Sequence, residues 1–260
     1  RDLNRFFPGN PRGSSASRIA SSFFNNVVKH CDLLIDLHTG SFRRTNLPQL
    51  RADLSTPEVA KFAKKMGAIV VVQSEGAAGC LRRAAVEAGI PSVTLEAGAP
   101  HELQRESVEH GVKSIESAMD NLGMIDRRRF WERPAEPVYY QSSWVRAIDG
   151  GILFSEVELG DSIRKGDLLG VVTDPITNAR SEIKAPFDGR VIGMALNQVM
   201  YPGFAAYHIG LQASVENVKK ETPETPASDS VPQTPIDSAV PVELEDEAEP
   251  SEFIPIEDSE

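Results

Sequence analysis

Apolar positions in the first half of the chain follow two periods in turn. Over residues 14–30, Ile19, Ala20, Phe23, Phe24, Val27 and Val28 recur at helical spacing behind Ser14 or Ser15, either of which can cap the first turn. Residues 31–37 form a short, almost continuously apolar run, as expected of a parallel strand covered on both faces. Pro57 and Gly67 bracket a helix over 56–66, and 68–72 reads as a second buried strand. Residues 78–88 are helical up to Gly89, 92–96 is a third strand, and 102–122 is a long helix stopped by Gly123. Strands alternating with helices predict an α/β domain over residues 1–130, with a mostly parallel sheet flanked by helices. Ligands of such sheets bind beyond the carboxyl ends of the strands, where His38 and Glu96 fall.

The texture changes over residues 127–137. From 138 to 213 the runs are short and rich in Val, Ile and Gly, with turn signals at Asp149-Gly150-Gly151, Leu159-Gly160-Asp161, Lys165-Gly166-Asp167 and Asp188-Gly189. This predicts a small all-β domain. Residues 214–260 are dominated by Pro, Thr, Ser and Glu, and Phe253 is their one aromatic residue. A segment so poor in apolar surface cannot offset its ordering entropy, so a disordered acidic tail is expected there.

Charge sharpens that division. The net charge of −11 arises in the tail, which holds 14 acidic and 2 basic residues, against 24 acidic and 25 basic before it. The neutral remainder has no clustered Lys/Arg excess, so a nucleic-acid partner is not expected. Nor is a membrane partner, since no run approaches the roughly 18 apolar residues of a span. Cys31 and Cys80 lie in apolar surroundings and read as buried free thiols of a reducing compartment, which points to the cytoplasm. The chain opens at Arg1 and Asp2-Leu3-Asn4-Arg5 reads like the middle of a domain, so any targeting segment is expected upstream.

Three short stretches carry candidate chemistry. His38 ends an apolar strand before Thr39-Gly40, with Asp36 on the same face, and a neutral imidazole there could ligate zinc or serve as a hydrogen-bonded structural histidine. Glu96 ends another strand before Ala97-Gly98-Ala99-Pro100, where a carboxylate can work as general base and acid or lie as a surface group. Asn4 and Arg5 precede Phe6-Phe7-Pro8-Gly9, and an amide beside a guanidinium suits capture of a carboxylate. His30, His101, His110 and His208 need no function.

Asp-Leu-Asn-Arg-x-Phe-Pro-Gly, then Asp-Leu-His-Thr, then Gly-Ile-Pro-x-x-Thr-x-Glu-x-Gly resembles the succinylglutamate desuccinylase/aspartoacylase family, relatives of the zinc carboxypeptidases. The resemblance implies an α/β catalytic domain with a small β domain, one Zn2+ per chain, and hydrolysis of the amide bond of a small N-acyl amino acid or related acylated amine. It makes His38 the third zinc ligand, Glu96 the group that activates the water, and Asn4 with Arg5 the pair that binds a substrate carboxylate. An arginine shortly before the base also occurs in the family, with Arg82 and Arg83 as candidates. The family's first two ligands come from an upstream His-x-x-Glu with no counterpart in this sequence, and its carbonyl-polarising arginine is likewise missing. The expected partner is a small carboxylate-bearing substrate, and a homo-oligomer is compatible with this reading.

The β region resembles the biotinyl/lipoyl carrier domains in two halves, Val157 to Gly170 and Ile183 to Gly189. Where carriers place their modified lysine this sequence has Asn178, which leaves the module a structural or substrate-shaping role. Tyr201 or Tyr207 could reach a catalytic pocket from that module, or fill its core. The alternative to a hydrolase is a catalytically incompetent fragment, or a binding or scaffold protein that uses the lipoyl-like module and the acidic tail.

Overall fold

The computed structural model describes residues 2–41, 43–126 and 138–213. The expected tail at 214–260 and the change of texture at 127–137 lie outside the described residues.

Each period in the first half becomes an element. The helices are α1 (Ser15–Asn26), α2 (Pro57–Lys65), α3 (Leu81–Glu87) and α4 (Arg105–Asn121), and the strands β1 (Leu34–His38), β3 (Val70–Gln73) and β4 (Ser92–Gly98) fall where apolar runs predict them. One strand has no counterpart in that pattern. β2 (Arg44–Ala52) places polar Asn46, Gln49 and Arg51 within a strand and carries Pro48, so its sequence looks like a loop.

The remaining strands are β5 (Val138–Arg146), β6 (Gly151–Ser155), β7 (Ser162–Ile163), β8 (Leu168–Thr173), β9 (Arg180–Lys184), β10 (Gly189–Ala195), β11 (Val199–Met200) and β12 (Ala205–Ala213). They do not stand apart from the α/β half. An eight-stranded sheet runs β1-β4-β2-β3-β5-β12-β10-β7, and β10 also pairs with β2. The ladder β2-β3-β5-β12-β10 therefore returns to β2 and closes. A four-stranded sheet, β11-β6-β8-β9, completes the β region.

The sheet is mixed, which corrects the mostly parallel expectation. β1 with β4, β2 with β3 and β3 with β5 are parallel, whereas β2 runs antiparallel to β4 and every pairing of β12 and β10 is antiparallel. A parallel return needs a crossover of about a dozen residues. The link from β1 to β2 over residues 39–43 is too short for one. β1 is also not covered on both faces: it is the sheet edge, and Leu37 is 62% exposed.

Alternation along the strands gives the α/β half two unlike faces. Leu50, Ala52, Val71, Val93 and Leu95 turn to one side and pack with Val59, Phe62, Ala63 and Met66 of α2 and Ala118 of α4 as the main core. The other side carries Asp36, His38, Thr94, Glu96, Gln49 and Arg51, since residues paired across a ladder project to the same face. Beside them Phe7, Phe24, Val28, Ala84, Ala85 and Ile90 form a separate core between α1 and α3. Among the described residues no helix is long and apolar enough to cross a membrane.

Candidate active site

The polar face is assembled in two rows. His38, Glu96 and Gln49 are register partners across β1, β4 and β2, and one row below lie Asp36, Thr94 and Arg51. The adjacent row position brings His38 Nε2 to 2.9 Å from Asp36 Oδ2. That hydrogen bond holds His38 above the ordinary imidazole range, against the cost of its partial burial. As the alternation of β1 requires, Asp36 and His38 share a face that Leu37 does not.

Glu96 is engaged through both carboxylate oxygens. Asn46 Nδ2 donates to Oε2 at 2.7 Å, and Arg51 Nε lies 2.9 Å from Oε1 in an ion pair whose N–H is not aligned for a hydrogen bond. Arg82, only 4% exposed, closes the floor of the face. Its Nε donates to Thr94 Oγ1 at 3.2 Å, Nη1 to the Ser74 carbonyl at 2.6 Å, and Nη2 to Ser74 Oγ at 3.2 Å. Arg83 points instead to Glu75 and Glu87 at the surface of α3.

The segment Asp2 to Gly9 explains itself largely by packing. Asp2 accepts from the Asn4 backbone N–H, and Asn4 Oδ1 accepts from Leu81 N at 2.7 Å, which caps the first turn of α3. Phe7 is buried against Phe23 and Phe24, and Gly9 (φ +85°) lies so close to α1 that a Cβ would meet Ser21 N. Arg5 is the member with reach: its side chain is 42% exposed, 3.4 Å from Asp2, with Nη1 donating to the Asn4 carbonyl.

Tyr207 and Tyr201 are placed differently from these groups. Tyr207 is fully buried in the β-region core, its hydroxyl 2.9 Å from the Leu169 carbonyl and 3.0 Å from Ser155 Oγ. Tyr201 is 56% exposed, with the Arg43 guanidinium 5.8 Å from its ring. Asn178 occupies the β8–β9 turn at φ +59°, a conformation asparagine tolerates better than most residues.

Asn46, Gln49 and Arg51 were not singled out by sequence, and neither was the group behind them. His208 is 2% exposed and stacks on Trp144 at 4.4 Å between ring centroids, while the Arg44 guanidinium lies 4.8 Å from the centroid of a Trp144 ring. Burial, reinforced by the Arg51 and Arg44 charges, holds His208 well below the ordinary imidazole range. The signal available in sequence was the spacing of polar side chains in Arg44-Thr45-Asn46-Leu47-Pro48-Gln49-Leu50-Arg51, which Pro48 disguises.

A catalytic zinc takes about three protein ligands. Among the described residues no three His, Cys, Asp or Glu side chains converge as such a set. His38 is the imidazole next to Glu96 on this face, and its 2.9 Å contact with Asp36 fixes the orientation of its ring.

Residues 1–122 match the family described as the succinylglutamate desuccinylase/aspartoacylase catalytic domain. Over 202 residues the chain is 28% identical to an N-alpha-acetyl-L-2,4-diaminobutyric acid deacetylase of Halomonas elongata, covering 72% of this chain. It spans 58% of the length of that relative. The ectoine utilization protein EutE (DoeB) of Ruegeria pomeroyi superposes with a TM-score of 0.72 at 23% identity, over 81% of this chain and 70% of that one. A succinylglutamate desuccinylase/aspartoacylase structure from Rhodobacter sphaeroides gives a TM-score of 0.72 at 21% identity, over 82% and 68%. At those identities the two structures establish the shared fold.

Proposed function

We propose, from the match of residues 1–122 to the succinylglutamate desuccinylase/aspartoacylase catalytic-domain family, that the chain serves as a hydrolase of the amide bond in a small N-acyl amino acid or related acylated amine. The observation that carries this reading is Glu96, fixed by Asn46 and Arg51 beside the His38–Asp36 pair on the polar face of the sheet. In this reading Glu96 takes a proton from the attacking water and delivers it to the leaving amine. Arg51, at 2.9 Å from Glu96, keeps positive charge next to the site where the oxyanion develops.

Arg5 is the proposed ligand of the substrate carboxylate. Its guanidinium is exposed, and Asn4 fixes its position by locking the same loop onto α3. Arg82 acts from below, tying Thr94 of β4 to the Ser74 turn, and so sets the level of the floor under the substrate.

Zn2+, one per chain, is the proposed metal on the strength of the family resemblance, with His38 as the ligand this chain offers. Bound there, zinc would polarise the scissile carbonyl and make its water more acidic. Since three ligands do not converge among the described residues, the proton transfer at Glu96 is the step assigned to the chain's own groups.

The relative's named compound gives the first substrate to try. Purified protein supplied with zinc should release free amine from Nα-acetyl-L-2,4-diaminobutyric acid or a neighbouring N-acyl amino acid, followed by proton NMR of the acyl group. Metal analysis after dialysis should show one zinc per chain, absent from His38→Ala. Protein that retains zinc yet releases no amine from any N-acyl amino acid in such a panel would rule out the hydrolase reading.

A further inference from the structure

β2 does not run straight past Glu96. Its register against β4 shifts between Asn46, opposite Gly98, and Gln49, opposite Glu96. At that point β2 also changes partner on its other edge, from β10 (Asn46 opposite Gly193) to β3 (Gln49 opposite Val70). Pro48, which has no N–H to give a ladder, sits at the handover. Such irregularities re-aim side chains near active sites. Here the shift lets two residues three apart, Asn46 and Gln49, share the polar face, where an unbroken strand would turn them to opposite faces.

The consequence is visible at Asn46, which is only 4% exposed. Its Nδ2 donates to Glu96 Oε2, and the acceptor-only character of a carboxylate fixes the amide this way round. Its Oδ1 is buried without a hydrogen-bond partner among the described residues, as are both side-chain polar atoms of Gln49. An unpaired buried acceptor costs about 1–3 kcal/mol, which offsets what the bond to Glu96 contributes to stability. Room for the carboxamide comes from Gly193: a Cβ there would stand 2.7 Å from Asn46 Oδ1 and 3.2 Å from His208 Cβ.

We propose that Asn46 is a positioning residue for Glu96, aimed by the break in β2 at Leu47-Pro48 and given its space by Gly193. This rests on the reading of Glu96 as the catalytic base. Arg51 pairs with Oε1 and Asn46 donates to Oε2, both from β2, so the carboxylate is restrained through each of its oxygens.

Two readouts test it on the full chain. In 15N-labelled protein the two Asn46 Nδ2 protons should be widely split, one of them slow to exchange, and the splitting should collapse in Glu96→Ala and in Gly193→Ala. In the amine-release assay Asn46→Leu should lower kcat by about 10- to 100-fold with KM nearly unchanged, as expected when a reacting group is misplaced. Asn46→His, which restores an N–H donor, should recover part of that loss, which a purely structural role would not. If Asn46→Leu fails to fold, Gly193→Ala carries the same kinetic expectation. Nδ2 protons that exchange freely and ignore Glu96→Ala would overturn the proposal, as would wild-type kcat in Asn46→Leu where Glu96→Gln is inactive. Retained turnover in Glu96→Gln removes Glu96 from the role of base instead, and leaves the hydrogen-bond result standing.

Discussion

Acidification should destabilise this fold through His208, by an amount that its burial sets. His208 is stacked on Trp144 and 2% exposed, and burial together with the Arg51 and Arg44 charges keeps it neutral well below the usual imidazole pKa. In the unfolded chain the same imidazole protonates near pH 6.5. Its folded-state pKa is depressed, so its contribution is fully present above about pH 6.5 and is lost as the pH falls below that value. From this one group the loss is at most about 1.4 kcal/mol per pH unit, a ceiling of about 2 kcal/mol at pH 5 relative to pH 7.5. Urea unfolding of wild type and His208→Phe at both pH values measures it. Phenylalanine keeps an aromatic ring against Trp144 and cannot titrate, and the other ionisable groups cancel in the difference between the two pH dependences. Wild type should lose more than the variant, by up to about 2 kcal/mol. Equal losses would refute the claim that a neutral, buried His208 is part of the folded state.

Other parts of the structure give separate expectations. Asn4→Ala removes the cap on α3 and should cost about 1 kcal/mol in urea unfolding, with faster amide exchange at Leu81, whereas Arg5→Ala should leave stability within about 0.5 kcal/mol. Leu50→Ala opens a cavity in the main core and should cost about 2–5 kcal/mol by the same assay. At Asp53 burial works against the carboxylate, but hydrogen bonds from Ser55, Gln73 and Thr56 outweigh it and lower its pKa. Its contribution is therefore present above about pH 3.9 and lost as the pH falls through the lower folded value. Asp53→Asn should flatten the acid limb of an unfolding curve followed by circular dichroism.

What could be read in the sequence divides along physical lines. Elements whose apolar residues face a core announced themselves: Ala20 and Phe24 mark α1, and Val70, Val71 and Val72 mark β3. β2 stayed hidden because half of its side chains serve the polar face and Pro48 interrupts it, although Leu50 and Ala52 lie at the centre of the core. The ends of β1 and β4 pointed correctly to His38 and Glu96 as neighbours, which the register places directly across from each other. Asn46 and Arg51 could not be read as their partners, because that contact depends on β2 lying beside β4 in antiparallel register. Asn4 carried a motif that suggested substrate binding, whereas its Oδ1 cap on α3 could not be read from the motif.

The most direct measurement is turnover by Glu96→Gln, compared with wild type in parallel with zinc content and the far-ultraviolet circular dichroism spectrum. The glutamine keeps the size of the side chain and an acceptor for Asn46 Nδ2 but cannot take a proton. The expected result is loss of amide hydrolysis with the fold and any bound zinc intact. Wild-type turnover by Glu96→Gln would contradict the central claim that Glu96 moves the proton.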